Sequence, residues 1–257
     1  MKTLVTKEDK NILWVSLNRP EVHNAFNQEM IQELTLLFSD TAPLNKYRAI
    51  VLSGEGESFC AGADLNWMKS MVKYNFEENV EDAQKLFVMF DVMKNCPLPI
   101  IGKIHGNVFG GGLGLVAICD IAVAEEKTKF CFSEAKLGLV PSVISPFIRR
   151  KMQAHIVREL FLTAEIFNSK KALESGLLHF AGSKKDCEKY IQEKIDLISK
   201  CGKQAVSTTK KLLNDLETIS FKELKTETSS VIARRRVSEE GQEGLKAFLE
   251  KRKPNWL

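Results

Sequence analysis

Two turns built from small residues constrain this chain more than anything else in it. They are Phe59-Cys60-Ala61-Gly62-Ala63-Asp64-Leu65 and His105-Gly106-Asn107-Val108-Phe109-Gly110-Gly111-Gly112-Leu113-Gly114. Each follows a β-branched, strand-like run, at residues 49–52 and 99–104, and each leads into an apolar stretch. Residues without bulk let another group approach the main chain closely and leave backbone N–H groups free to point at it. Two such turns, each between a strand and a helix, are able to aim one N–H apiece at a single oxygen, which is how an oxyanion is held in acyl chemistry. One glycine-rich turn would mean only tight packing. The pair points to a site.

A chain of 257 residues with 44% hydrophobic content can bury a large core, as one domain or as a domain with an appendage. The net charge of +4, with both signs interspersed, argues against a nucleic-acid partner: no DNA is expected, and RNA is disfavoured. Arg234-Arg235-Arg236 reads as the solvated face of a helix. No run of 18 uninterrupted apolar residues occurs, so no membrane span is expected, and Met1-Lys2-Thr3-Leu4-Val5 lacks the apolar core of a signal peptide. Six cysteines (60, 96, 119, 131, 187 and 201) are scattered without paired spacing or histidine partners. They read as reduced thiols in a cytoplasmic or similarly reducing space, with no metal site.

The order of elements is α/β. Residues 11–18 read as a strand stopped by Arg19-Pro20. Asn27-Gln28-Glu29-Met30 opens a helix with Met30, Ile31, Leu34, Leu37 and Phe38 at helical spacing. Residues 49–53 form a second strand. Val80, Ala83, Leu86, Phe87, Phe90 and Met93 mark a helix over residues 77–94, ended by Cys96-Pro97-Leu98-Pro99. Residues 113–119 read as a short buried helix starting on the glycines, followed by strands at 120–124 and 130–132. After Pro146 the pattern is helical nearly to the end, with an interruption at residues 238–243 before a last helix over 244–251. A mixed α/β core to residue 190 and a helical region over 191–257 are expected.

Several chemistries are excluded by their missing motifs. There is no G-x-S-x-G nucleophile elbow, no G-x-x-x-x-G-K-[ST] phosphate loop, and the glycine run does not satisfy G-x-G-x-x-G. The four histidines (23, 105, 155 and 179) have no ligand spacing. An oxyanion hole would still need an acid or base.

The two turns, with Ala117-Ile118-Cys119-Asp120-Ile121-Ala122, resemble the crotonase (enoyl-CoA hydratase/isomerase) superfamily. So do Asn18-Arg19-Pro20 with Asn24-Ala25, Phe132-Ser133-Glu134-Ala135-Lys136-Leu137-Gly138-Leu139-Val140-Pro141, and Phe248-Leu249-Glu250-Lys251-Arg252-Lys253-Pro254. Leu65-Asn66-Trp67-Met68-Lys69 and Pro141-Ser142-Val143-Ile144-Ser145-Pro146 look most like the methylglutaconyl-CoA hydratase-like subgroup. The resemblance runs the whole length of the chain. It implies a crotonase-like ββα spiral core with a C-terminal helical trimerisation region.

It also implies roles. The thioester carbonyl of an acyl-CoA substrate would accept hydrogen bonds from the backbone N–H groups of Ala63 and Gly111, and Glu134 would be the acid/base. Ala25, Ala61, Gly62, Asp64, Leu65, Gly110 and Pro141 match substrate- and CoA-binding positions, and Phe248 and Lys251 match positions that reach the nucleotide of a neighbouring subunit. No cofactor is implied beyond the coenzyme A of the substrate. Read without the resemblance, Glu134 is a solvated loop carboxylate and Lys251 a solvated helix residue. Typical hydratases carry a second glutamate where this chain has Gly114, a position that would open space for a branched acyl group. Three readings stay open: a hydratase of a short, branched or carboxylated 2-enoyl-CoA; a single-glutamate enoyl-CoA isomerase; and a non-catalytic acyl-CoA or RNA binder. Lys69, Lys73, Lys136 and Arg149 are the candidate partners for a substrate carboxylate. Relatives form trimers, often paired into hexamers, and Ile156, Leu160, Phe161 and Leu162 are expected to expose apolar surface for such an interface.

Overall fold

The computed structural model describes all 257 residues. Strands β1 (Leu4–Asp9) and β2 (Ile12–Leu17) form a hairpin, and α1 (Gln28–Ser39) crosses over to β3 (Ala49–Gly54). Helices α2 (Leu65–Met71) and α3 (Phe76–Lys94) precede β4 (Ile100–Ile104). The short β5 (Asn107–Phe109) runs into α4 (Gly111–Ile118), then β6 (Ile121–Glu125) and β7 (Lys129–Cys131). Beyond these lie α5 (Ser145–Ile148), α6 (Ala154–Thr163), β8 (Phe167–Asn168), α7 (Ser169–Glu174) and β9 (Phe180–Gly182). The chain ends in helices α8 (Lys184–Ser199), α9 (Lys203–Asp215), α10 (Phe221–Val237) and α11 (Glu239–Leu249).

Six strands make the main sheet, in the order β1-β2-β3-β4-β6-β9. The β1/β2 hairpin is antiparallel and every other pairing is parallel. Lys10 and Asn11, both at positive φ, supply the two-residue turn that matches the twist of its strands. Both faces of the sheet are covered, which is why β3 opens on four consecutive buried residues and shows no alternation. Ile50 and Leu52 enter the principal core of 44 residues on one face; Ala49 and Val51 join Ile12, Ile101 and Val123 under Cys187, Ile191 and Ile195 of α8 on the other. A second sheet, β5-β7-β8, pairs Val108 with Phe130 and Phe130 with Phe167.

Local chemistry sets the helix ends. Asn27 caps α1 by accepting from the Met30 N–H at 2.8 Å. Asn75 and Glu78 form a reciprocal capping box at the start of α3. Four expectations are corrected. α8 runs straight through residue 190 and packs on β4, β6 and β9, so the boundary expected there falls inside a helix of the core. The interruption near residue 238 is a single residue, because Ser238 ends α10 and also caps α11 through the Gly241 N–H. β8 and β9 break the helical run after Pro146. Of the four apolar residues expected at the surface of α6, Leu160 is fully buried, Ile156 and Phe161 pack on the core, and Phe161 meets Phe132 at 4.5 Å; Leu162 alone is exposed.

Candidate active site

The first small-residue turn is shaped by the segment before α1. The Phe26 N–H donates to the Gly62 carbonyl at 2.7 Å and the Asp64 N–H to the Phe26 carbonyl at 2.8 Å, a parallel bridge with Ala63 at its centre. Ala63 therefore turns its own N–H away from Phe26; that N–H donates to no group of the chain, and the residue is exposed. Gly62 sits at φ +96° with the Phe109 carbonyl oxygen 3.1 Å from where a Cβ would stand, so a side chain there would be strained and crowded.

The second turn lies alongside. The Cys60 N–H donates to the Asn107 carbonyl at 3.3 Å and the Phe109 N–H to the Cys60 carbonyl at 3.0 Å, so the two turns are sewn together as neighbouring strands. Gly110, at φ 47° and ψ −122°, reverses the chain in a conformation reserved for glycine and delivers it into α4. Gly111 is the first residue of α4, and its N–H has no acceptor within the helix. The positive end of the α4 dipole thus opens at the second turn.

Glu134 reaches this point through β7. The Gly110 N–H donates to the Cys131 carbonyl at 2.9 Å, and three residues later Glu134 stands in a 3₁₀ turn over Ser133–Leu137. Its Oε1 lies 3.3 Å from the Cβ position of Gly110. Its Oε2 is buried and has no hydrogen-bond partner. Burial pushes the carboxyl above its ordinary value, against a smaller opposing effect of a hydrogen bond from its own backbone N–H. A half-buried, unsatisfied carboxyl beside two unengaged amides has the composition of an acid/base next to an oxyanion hole.

Gly114 does not open space. A Cβ on it would stand 2.5 Å from Phe90 Cζ, 2.7 Å from Phe90 Cε1 and 2.8 Å from Ile144 Cγ2. Phe90 is fully buried, edge-on to Phe26 at 6.2 Å and against Phe147 at 5.5 Å. The site that a second carboxylate would occupy is filled by an aromatic wall, and the room expected there for a branched acyl group is absent.

The other sequence candidates divide. Ala61 donates its N–H to the His23 carbonyl at 3.0 Å, but its own carbonyl accepts no hydrogen bond and remains open to a ligand. Ala25 is buried, its carbonyl taken by Arg19 Nη1 at 2.6 Å. The Asp64 side chain is consumed internally: it pairs with Arg19 Nη2 at 2.8 Å and caps α2 through the N–H groups of Asn66 (2.7 Å) and Trp67 (3.3 Å). Burial opposes its ionisation, yet those partners together hold its carboxyl below the usual aspartate value. Leu65 begins α2 and is 74% exposed. The Pro141 carbonyl accepts from the Ser145 N–H at 3.1 Å, closing the loop into α5. Phe248 is 81% exposed near the end of α11 and Lys251 follows that helix; α11 packs on α9 and α10, so one chain does not bring this pair to Ala63, Gly111 and Glu134. Lys69, Lys73, Lys136 and Arg149 are all exposed, and none forms an ion pair within the chain. Sequence reasoning assigned no work to Arg19, Phe90 or Ile144; the signal for Arg19 was its place in the Asn18-Arg19-Pro20 run beside a turn with a buried acid.

Residues 7–257 match the family described as enoyl-CoA hydratase/isomerase, and the chain belongs to that family. A crystal structure of an enoyl-CoA hydratase from Shewanella pealeana superposes with a TM-score of 0.93 at 39% identity, covering 99% of this chain and 96% of that one. The enoyl-CoA hydratase AKT6-1 of Alternaria alternata is 34% identical over 181 residues, 70% of this chain. The mitochondrial Delta(3,5)-Delta(2,4)-dienoyl-CoA isomerase of Mus musculus is 33% identical over 195 residues, 71% of this chain. The matches span 59% of the length of each of these two curated relatives. The α/β architecture is that of the crotonase fold, and no helix is long and apolar enough to cross a membrane.

Proposed function

We propose that this chain hydrates a short 2-enoyl-CoA thioester, with the Ala63 and Gly111 N–H groups as the oxyanion hole and Glu134 as the acid/base. The observation that carries the reading is the Glu134 carboxyl: half-buried, with Oε2 unpartnered, beside the start of α4 and a turn whose central N–H is free. As water adds to C3, the thioester oxygen gains negative charge, which the two amides and the positive end of α4 stabilise. Water gives its proton to Glu134, and the same carboxyl returns a proton to C2. Hydration moves one proton from oxygen to carbon, so one carboxylate closes the cycle. Its raised pKa brings that exchange nearer neutral pH.

The coenzyme A of the substrate would lie along the residues from Ala61 to Leu65, where the Ala61 carbonyl is open, and no other cofactor is called for. Phe248 and Lys251 would reach that nucleotide from a second copy in a trimer or hexamer. The exposed, unpaired Lys69, Lys73, Lys136 and Arg149 are the candidate partners for the carboxylate of a methylglutaconyl-like acyl group, whereas its methyl branch no longer has space at Gly114 as support. An isomerase is the second reading, favoured by one observation: Phe90 and Ile144 leave no place near Gly114 for a second water-holding carboxylate. Of the basic run that would serve an RNA binder, Arg235 turns inward to Glu240 at 2.6 Å while Arg234 and Arg236 stay exposed.

The test is absorbance of the conjugated thioester with crotonyl-, 3-methylcrotonyl- and 3-methylglutaconyl-CoA. Hydration removes the signal. Its persistence with all three, together with its appearance from a 3-enoyl-CoA, would replace hydratase by isomerase.

A further inference from the structure

Ala63 has only a methyl side chain, with no polar group to fix its own N–H, so the direction of that bond is set by its neighbours. On one side the Gly62 carbonyl is held by the Phe26 N–H; on the other the Asp64 N–H is held by the Phe26 carbonyl. Arg19 holds the residue next to each partner of that bridge, Ala25 before Phe26 and Asp64 after Ala63. Its Nη1 donates to the Ala25 carbonyl at 2.6 Å, and that carbonyl belongs to the same peptide unit as the Phe26 N–H. Its Nη2 pairs with Asp64 Oδ2 at 2.8 Å. The clamp is enclosed, with the Arg19 side chain 16% exposed and that of Asp64 5%. Arg19 is itself anchored: its N–H donates to Asn24 Oδ1 at 2.7 Å, and Asn24 Nδ2 donates to the carbonyls of Glu55 and Ser58 at 2.8 Å.

We infer that Arg19 is a positioning residue for the oxyanion site, aiming the Ala63 N–H indirectly by tying the Ala25–Phe26 peptide unit, whose neighbours bridge to Gly62 and Asp64, to the Asp64 side chain. The inference rests on Ala63 serving as an oxyanion donor, as proposed above. A planar guanidinium offers two N–H groups at a fixed angle to two separate acceptors, which a point-charged ammonium cannot match. Arg19 touches no reacting atom in this account. It acts through Ala63, and a donor displaced by about 1 Å lowers turnover by roughly 10²-fold.

The experiment compares Arg19→Lys and Asp64→Asn with the unmodified protein. Turnover is measured alongside the infrared carbonyl stretch of bound butanoyl-CoA, a saturated thioester that cannot react. In the unmodified protein the stretch is expected below its value in free butanoyl-CoA. In Arg19→Lys, kcat is expected to fall on the order of 10²-fold with KM changed by less than about threefold, and the stretch to return toward the free value. Asp64→Asn keeps an oxygen to cap α2 but loses the charge, so it carries the test where Arg19→Lys fails to fold; it should move kcat and stretch the same way. Unchanged kcat and stretch in the folded variants overturn the inference. So does a loss of kcat matched by an equal loss of butanoyl-CoA affinity, which is the signature of a merely structural role. An unmodified protein that binds butanoyl-CoA without moving its carbonyl stretch overturns the oxyanion reading itself, and the inference with it.

Discussion

Glu134 and Asp64 are acids of one turn-built site with opposite fates. Asp64 is surrounded by donors that hold its carboxyl below the ordinary value, so it contributes stability above about pH 3.8 that is lost as pH falls through its lowered folded value. Glu134 is buried without a partner for Oε2, and its folded pKa is raised. The native state then holds the Glu134 proton more tightly than the unfolded chain does. Stability contributed by that proton is present below the ordinary value of 4.5 and is lost as pH rises through the raised value. Glu134→Gln should therefore melt no lower than the unmodified protein at pH 7, and the difference should vanish on acidification below the ordinary value. Its turnover should fall by about 10²–10⁴-fold, the usual contribution of a general acid/base. A glutamine variant that melts clearly lower at pH 7, or that turns over normally, contradicts the role given to this carboxyl.

At the scale of elements, the sequence announced what periodicity could carry. The stripe from Met30 to Phe38 and the Asn27 cap marked α1, and the three-and-four spacing from Val80 to Met93 marked α3. β1 was not legible because five of its six residues are exposed, and β5, β8 and β9 because strands of two or three residues offer no alternation to count; the equally short β7 showed only through its Phe130-Cys131-Phe132 run. Within the site, the two turns and Glu134 could be located through the family resemblance. The Phe90 wall could not, since it depends on α3 lying against α4, a contact between residues 24 positions apart (Phe90 and Gly114) that no local pattern encodes. That contact makes a prediction. Gly114→Ala places a methyl 2.5 Å from Phe90 Cζ, and overpacking of this kind costs about 1–3 kcal/mol. Phe90→Ala leaves a cavity and is costly alone, by about 3–5 kcal/mol. In the double variant the new methyl enters vacated space, so the two losses should sum to less than their separate values. Thermal melting of the four proteins reads this directly; strictly additive losses would mean that the helices do not meet at Gly114.

Across the whole molecule, α4 is a strut with its two ends used differently. Its first turn faces the proposed site, while at its other end the carbonyl of the C-cap residue Cys119 accepts from Lys151 Nζ at 2.9 Å. Beside it Lys210 of α9 pairs with Asp120 at 2.7 Å, tying the helical tail to the base of the strut. Within the tail, Glu240 of α11 accepts from the N–H groups of Gln204 and Ala205 and so caps α9 from outside. The tail is thus well fixed to its own chain, yet it leaves Phe221, Val237, Phe248 and Leu249 more than three-quarters exposed. The proposed trimer or hexamer covers this apolar surface with a second copy, and it also explains how Phe248 and Lys251, remote from the site in their own chain, would come to serve a neighbour's. Light scattering should give the mass of three or six 29.0 kDa chains. Leu249→Glu, which places a charge on that surface without touching the turns or Glu134, should shift the mass toward one chain and raise KM for the CoA substrate more than it lowers kcat. A monomer of unmodified protein with full activity would show that the exposed tail has another use and that each site is complete within one chain.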